Sequence, residues 1–339
     1  MLKSEDLTFV EFLHREEMRR RRHASEDRMA NEQEQIIEDY MRLESALKSL
    51  NDGMGVQINF IDSNRLFSSP ENRERNRAVR NISEERGIYG RRIYEEPVSV
   101  ERENIVNFSK ALQFQIRGIR QKYSDVSEMK DRDFPDRLVQ YVFSERDSLT
   151  EEEIAKKLIE LEKIREDLEK VGLVSEGKTT TLPKNKNLDP TMLKFYSQYI
   201  EDNEDKLKIF DGMKRKLELF LDIINNKTKF SNKVMRIDKN RGVVFESTLA
   251  TKKRDIPLDK LSSGEKHDFI LFYQLIFHSK RNSIVLIDEP EISLHVAWQM
   301  EFVGVIKKIC ELNGIQAIIA THSPDIVNGN NDILVSLGE

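Results

Sequence analysis

Two short apolar runs, each closed by polar turn residues, limit the fold more than anything else in this chain. Ser283-Ile284-Val285-Leu286-Ile287 stops at Asp288-Glu289-Pro290, and the run from Ile315 to Ala320 stops at Thr321-His322-Ser323-Pro324. Mostly apolar runs of this length, bounded by turn signals, read as buried strands. Between them, residues 296–312 have the length and repeat of a helix. Two strands joined through a helix lie parallel in one sheet, because only a long crossover returns the chain to the same edge. An apolar helix over 264–279 and a third strand expected over 332–337 extend the alternation. Residues 229–339 are therefore expected to form an α/β lobe, its parallel sheet covered by helices on both faces.

Upstream, Val234-Met235-Arg236-Ile237 and Gly242-Val243-Val244-Phe245 read as a β-pair around a turn at 238–241. Residues 101–228 read as helical. Helices are expected over 101–122 and 136–144, and a third follows Thr150-Glu151-Glu152-Glu153, where a threonine cap has a glutamate three residues on. In that third helix Ile154, Leu158, Leu161, Leu168 and Val171 repeat at helical steps until Gly172 stops it. Asp189-Pro190 starts a further helix, with apolar positions from Met192 to Ile224. Two such helices around the polar linker 172–188 suggest an antiparallel hairpin, either a coiled-coil arm or a packed helical subdomain. Residues 1–100 read as charged helices over 8–50, a strand at Val56-Gln57-Ile58-Asn59-Phe60-Ile61 and an Arg-rich loop over 68–100. The expected division is thus 1–100, 101–228 and 229–339.

Composition excludes several classes. No run reaches the roughly 18 apolar residues of a membrane span, and Met1-Leu2-Lys3-Ser4-Glu5-Asp6 lacks a signal-peptide core. The lone cysteine, Cys310, has no internal disulfide partner and falls in an apolar helical pattern, so a buried thiol is expected. These features favour the cytoplasm. A net charge of −5 argues against a generally basic nucleic-acid coat. The exception is the stretch Arg73 to Arg92, which holds Arg75, Arg77, Arg80, Arg86 and Arg91 beside Tyr89 and is a candidate for phosphate-backbone contact. The basic block Arg19 to Arg22 is nearly neutralised by neighbouring acids and reads as a solvated helix face.

Chemistry concentrates at the strand ends. The C-terminal edge of a parallel sheet is where such folds bind ligands. Asp288 is placed there to hold Mg²⁺, directly or through water, and Glu289 to orient or deprotonate an attacking water; a strand that merely ends in a charged turn is the alternative. Leu261-Ser262-Ser263-Gly264-Glu265 puts small residues at a helix start, where exposed N–H groups and a hydroxyl suit a γ-phosphate; the alternative is an ordinary serine cap. Its position favours the phosphate reading, since Gly264 precedes Asp288 by 24 residues with one helix between. His322 ends the neighbouring strand and can hydrogen-bond a terminal phosphate, although a lone histidine is more often structural.

On these residues the chain resembles the ABC-type ATPases, in their Rad50- and OLD-like branch. Leu261 to Glu265 looks like the family's signature motif, Ile284 to Glu289 its Walker B strand, Ser293-Leu294-His295 its D-loop and His322 its switch histidine. The stretch from Ile287 to His295, with Ala320-Thr321-His322-Ser323-Pro324, is most similar to ATPase subunits of prokaryotic anti-phage systems such as Septu and certain retrons. The likeness covers roughly 255–325 and is diffuse elsewhere. It implies an ATPase head with a helical insertion. It also implies ATP and Mg²⁺ as cofactors, a catalytic Glu289 and His322, a metal ligand at Asp288, and ATP contacts from Leu261, Ser262, Ser263, Gly264, Glu265, Ser293 and His295. The implied partners are a second ATPase subunit, in a homo-oligomer or as a supplier of the phosphate loop, and an effector nuclease.

One element of the resemblance is missing. The phosphate-loop pattern G-x-x-x-x-G-K-[ST] occurs once, as Gly172-Leu173-Val174-Ser175-Glu176-Gly177-Lys178-Thr179, but after a charged helix instead of a strand and before Thr180-Thr181-Leu182-Pro183, which blocks a following helix. No glycine precedes Gly53. The expectation is a shortened or divergent form of a longer ATPase, in preference to a chain whose partner supplies the loop, and in either case one inactive alone. Two other functions compete: a non-hydrolysing scaffold that completes a partner's site, and a DNA-repair clamp of the Rad50 kind, for which the arm looks short.

Overall fold

The strands and helices fall in the order the hydrophobic pattern sets. The computed structural model describes residues 58–62, 100–175, 188–238, 240–249 and 254–335, with 58–62, 100–104 and Ser293 described in backbone only. The chain runs through β1 (Ile58–Asp62), α1 (Val100–Arg132), α2 (Phe134–Val142), α3 (Glu151–Lys170), α4 (Pro190–Lys208) and α5 (Asp211–Thr228). It continues through β2 (Lys233–Asp238), β3 (Gly242–Ser247), β4 (Arg254–Ile256), α6 (Ser263–Tyr273), β5 (Ile284–Asp288), α7 (Val296–Asn313), β6 (Gln316–Ala320) and the short α8 (Pro324–Val327).

Two sheets result. The strands β1, β5 and β6 form a parallel sheet in that order, and β2, β3 and β4 an antiparallel one. In the parallel sheet Asp62, Asp288 and Ala320 stand level at the C-terminal edge. This is the α/β architecture with a parallel sheet and helical insertion expected above. Its covering differs from expectation. Val285 and Ile287 are buried and Ile284 and Leu286 half-buried, whereas on β6 Ile318 is 59% exposed. Among the described residues one face of β6 is therefore open. The third strand expected over 332–337 is also not formed as far as the structure is described, since Asn331–Ile333 make a 3₁₀ turn and Leu334 and Val335 are exposed.

The helices start and stop where local chemistry provides partners. Thr150 and Glu153 form a capping box at the start of α3. At its end Leu173 N–H reaches Leu168 O at 2.9 Å and Gly172 N–H reaches Glu169 O at 2.9 Å, a Schellman turn that needs the left-handed Gly172. Asp189 caps α4 through Met192 N–H. The apolar repeat from Met192 to Ile224, read as one helix, is two: the chain turns at Ile209–Phe210, where Phe210 is fully buried with its ring 4.9 Å from Tyr123.

The long α1 packs on α6 and β3 at one part of its length and on α4 and α2 at another. With α3 lying on α4, the insertion is a packed helical subdomain. Buried charge holds it as well: Asp202 on α4 accepts from Arg137 on α2 and lies 3.6 Å from Lys130 Nζ on α1. The apolar core is continuous from Ile105 to Ile326 and includes an aromatic cluster in which Phe220 meets Phe269 at 5.3 Å and Phe108 meets Tyr273 at 4.9 Å. Cys310 is half-buried against this core, and burial pushes its thiol pKa up. The readings made for 1–50, 68–99 and Arg73 to Arg92 lie outside the described residues. Among the described residues no helix is long and apolar enough to cross a membrane.

Candidate functional site

β5 delivers Asp288 and Glu289 to the sheet edge, and β6 delivers Thr321 and His322 beside them. The parallel register pairs Asp288 with Ala320, and Glu289 N–H continues the ladder to Ala320 O at 2.9 Å. Glu289 then leaves the strand with φ 45°. A left-handed backbone at a non-glycine residue costs about 1–2 kcal/mol, and such strain gathers at functional sites. Pro290 opens a 3₁₀ turn through Ser293, which directs the chain into α7. Asp288 and Glu289 are half-buried and His322 is exposed, so the edge is open to a ligand.

Behind these residues lies a bracket that the sequence did not reveal. Glu291 accepts Thr321 Oγ1–H on Oε2 at 2.8 Å and His322 N–H on Oε1 at 2.8 Å. Gln299, buried on α7, donates to Leu294 O at 3.0 Å and Glu291 O at 3.3 Å and accepts Ser323 Oγ–H at 2.7 Å. The acidic Asp-Glu-Pro-Glu string hinted at Glu291, but nothing near Gln299 marked it. His295 is exposed and its Nδ1 accepts Ala297 N–H at 3.3 Å, so it caps α7. Ser293 is placed in the 3₁₀ turn by its backbone.

The Leu261–Glu265 turn is built separately. Leu261 is buried and anchors the turn to the core. Ser262 Oγ accepts Glu265 N–H at 3.2 Å while Glu265 Oε2 accepts Ser262 N–H at 2.8 Å, a capping box. The serine cap considered as the alternative is thus present. Ser262 and Ser263 remain exposed, and a Cβ added at Gly264 would meet nothing within 4 Å. This leaves space for a group approaching the helix N-terminus. Glu265 is turned inward: its Oε2 lies 2.7 Å from Lys233 Nζ, and its Oε1 accepts from Ser231 Oγ at 2.6 Å. Burial pushes this carboxyl upward, but Lys233, Ser231 and the Ser262 N–H outweigh burial and hold it below the usual glutamate range.

Mg²⁺ is the metal that the resemblance calls for. Among the described residues no group of three His, Cys, Asp or Glu side chains could hold a metal ion. A single strand-end carboxylate fits Mg²⁺, which commonly takes one or two carboxylates and completes its shell with water and substrate phosphate. Asp288 meets that requirement. Gly172, the first residue of the literal phosphate-loop pattern, closes α3, and Glu176 to Thr179 lie outside the described residues.

Comparison with known proteins supports an ATPase. Two solved structures are similar in part. One is the SmcHead bound to the C-winged helix domain of ScpA, at 18% identity over 39% of this chain and 40% of that chain, with TM-score 0.25. The other is the Smc head domain with an extended coiled coil bound to the C-terminal domain of ScpA from Pyrococcus furiosus, at 16% identity over 68% and 57%, with TM-score 0.27. The chain spans less than two thirds of either structure's length. No curated protein matches the sequence. The family model described as an AAA ATPase domain matches residues 95–327, well over half of the sequence, and the chain belongs to that family.

Proposed function

We propose that this chain is a subunit of an ABC-type ATPase in which ATP-driven dimerisation and hydrolysis control an associated nuclease or other effector in anti-phage defence. The observation that carries the reading is the register of β5 and β6, which pairs Asp288 with Ala320 and joins Glu289 N–H to Ala320 O, at the edge where the chain continues into Thr321 and His322. Glu289 orients the attacking water and takes its proton, and His322 donates to the terminal phosphate. Bound Mg²⁺ would neutralise phosphate charge, with Asp288 as its protein ligand. From the opposite side, Ser262, Ser263 and Gly264 close on a γ-phosphate held by a second subunit, with Ser293 and His295 lining the junction.

In this reading residues 101–228 form the helical arm of the head and 229–339 its C-terminal lobe. The assembly is cytoplasmic, and Arg73 to Arg92 contact nucleic acid. A scaffold without hydrolysis is the second reading. It is favoured by the closed capping box at Ser262, which needs no ligand to satisfy its hydrogen bonds.

Glu289→Gln separates the two. In the native assembly purified on a tag carried by this chain, the substitution should lower Mg-ATP turnover at least about 100-fold, because the general base is lost. It should also trap the ATP-closed state, visible as a larger species in size-exclusion chromatography with ATP. Unchanged turnover would overturn the hydrolytic reading.

A further inference from the structure

Three carboxylates stand in Asp288-Glu289-Pro290-Glu291, and the third is committed to the protein itself. Both oxygens of Glu291 accept hydrogen bonds from the loop that follows β6, one from the Thr321 hydroxyl and one from the His322 backbone N–H, each at 2.8 Å. Within that loop Ser323 N–H donates to Thr321 Oγ1 at 3.0 Å, and Ser323 Oγ–H donates to Gln299 Oε1 at 2.7 Å. Gln299 Nε2 returns the circuit to Glu291 O at 3.3 Å and also holds Leu294 O at 3.0 Å. The ring joins the turn after β5, the first turns of α7 and the loop after β6, segments separated by up to 31 residues in sequence. A carboxylate only accepts, and here it meets two donors, so donor and acceptor types match at every link.

We propose that Glu291, backed by Gln299, is a positioning residue that holds His322 in fixed relation to the Asp288–Glu289 pair. This rests on the ATPase reading above. The β5–β6 ladder ends at Glu289 N–H and Ala320 O, one residue short of Thr321, and past that end the Glu291 carboxylate takes up the His322 N–H. Linked hydrogen bonds hold geometry more tightly than separate ones. A shift of about 1 Å in a group that meets the reacting phosphate can lower turnover roughly 100-fold. Glu291 therefore acts through His322, while Asp288 and Glu289 stand at the C-terminal edge of the sheet where the proposed ligand binds.

Two measurements on Glu291→Ala and Glu291→Gln test this. The first is amide hydrogen exchange at His322 in the full chain without nucleotide. The alanine variant should expose that N–H and speed its exchange about 10-fold or more, since the Glu291 carboxylate that accepts from it is gone. The glutamine variant retains an acceptor oxygen and should restore most of the protection. Unchanged exchange at His322 in the alanine variant overturns the proposal whatever the protein hydrolyses. The second is Mg-ATP kinetics of the native assembly, where Glu291→Ala should lower kcat about 10- to 100-fold with KM little changed, and Glu291→Gln should recover most of it. Wild-type kcat in the alanine variant overturns the positioning role. If turnover is instead insensitive to Glu289→Gln, the ATPase reading fails, and the exchange result still decides the bracket.

Discussion

Gly172 joins the helical subdomain to the antiparallel sheet through the absence of a side chain. Its φ is 73°, and a Cβ built there would lie 2.6 Å from Ile237 O on β2 and 3.0 Å from Ile237 Cγ2. The close atom is backbone, so the sheet itself would have to move. Gly172→Ala adds the left-handed penalty to that clash and should destabilise the chain by about 2 kcal/mol or more. Urea unfolding followed by circular dichroism gives the difference, and a midpoint equal to wild type would refute the contact. The glycine was legible as a helix stop because Schellman turns select it locally. Its approach to Ile237 was not, because 65 residues separate the two and no local pattern encodes the meeting. The same divide runs through the candidate site. Asp288, Glu289 and His322 were readable because strand ends mark a ligand edge. The roles of Glu291, at which the acidic string only hinted, and of Gln299 were hidden, since their partners at 321–323 lie 24 to 31 positions away.

Among the described helices, α3, like α6, starts with a complete capping box. Thr150 Oγ1 accepts Glu153 N–H at 3.3 Å, and Glu153 Oε2 accepts Thr150 N–H at 2.9 Å. Ile154, Leu158, Leu161 and Leu168 then bury one face toward α4. Thr150→Ala removes the cap oxygen and should cost about 1 kcal/mol, while Thr150→Ser should cost almost nothing. The pair can be compared by thermal unfolding, and equal loss in both would assign the effect to packing of the threonine methyl. Both this start and the 3.6-residue repeat were plain in the sequence. The break between α4 and α5 was not, because no proline or glycine stands at Ile209–Phe210. Buried Phe210, packed on Tyr123, turns the chain there through tertiary contact. Over 332–335, the described part of the strand expected at 332–337, the outcome is the opposite. Leu334 and Val335 have the apolar pattern, but within the described residues no neighbouring strand takes their hydrogen bonds, and both side chains are exposed.

Across the whole molecule α5, α6 and α7 meet at a buried charged cluster that should make folding sensitive to mild acid. Lys227 at the end of α5 lies 3.1 Å from Asp268 on α6, with its Nζ 4.8 Å from the centre of the Trp298 ring on α7. Burial draws Lys227 down and pushes Asp268 up. Beside them His267 is 2% exposed, and burial, aided by the charge of Lys227, lowers its imidazole from 6.5 to about 4. The unfolded chain thus binds this proton near pH 6.5, while the folded chain resists it until about pH 4. Between those values the unfolded state holds more protons, so stability falls as pH falls. The contribution is complete above pH 6.5 and lost below about pH 4, and the gap is worth about 3 kcal/mol. His278, lowered by burial, acts in the same direction. Asp268 opposes it, because a raised carboxyl takes its proton first in the folded state. Comparing His267→Leu with wild type isolates one group from this mixture. Urea unfolding of the full chain at pH 7.5, 5.5 and 4.5 should show a steep loss of stability in wild type and a clearly shallower one in the variant. Equal pH slopes would mean that His267 is protonated in the folded protein and that the buried cluster tolerates its charge.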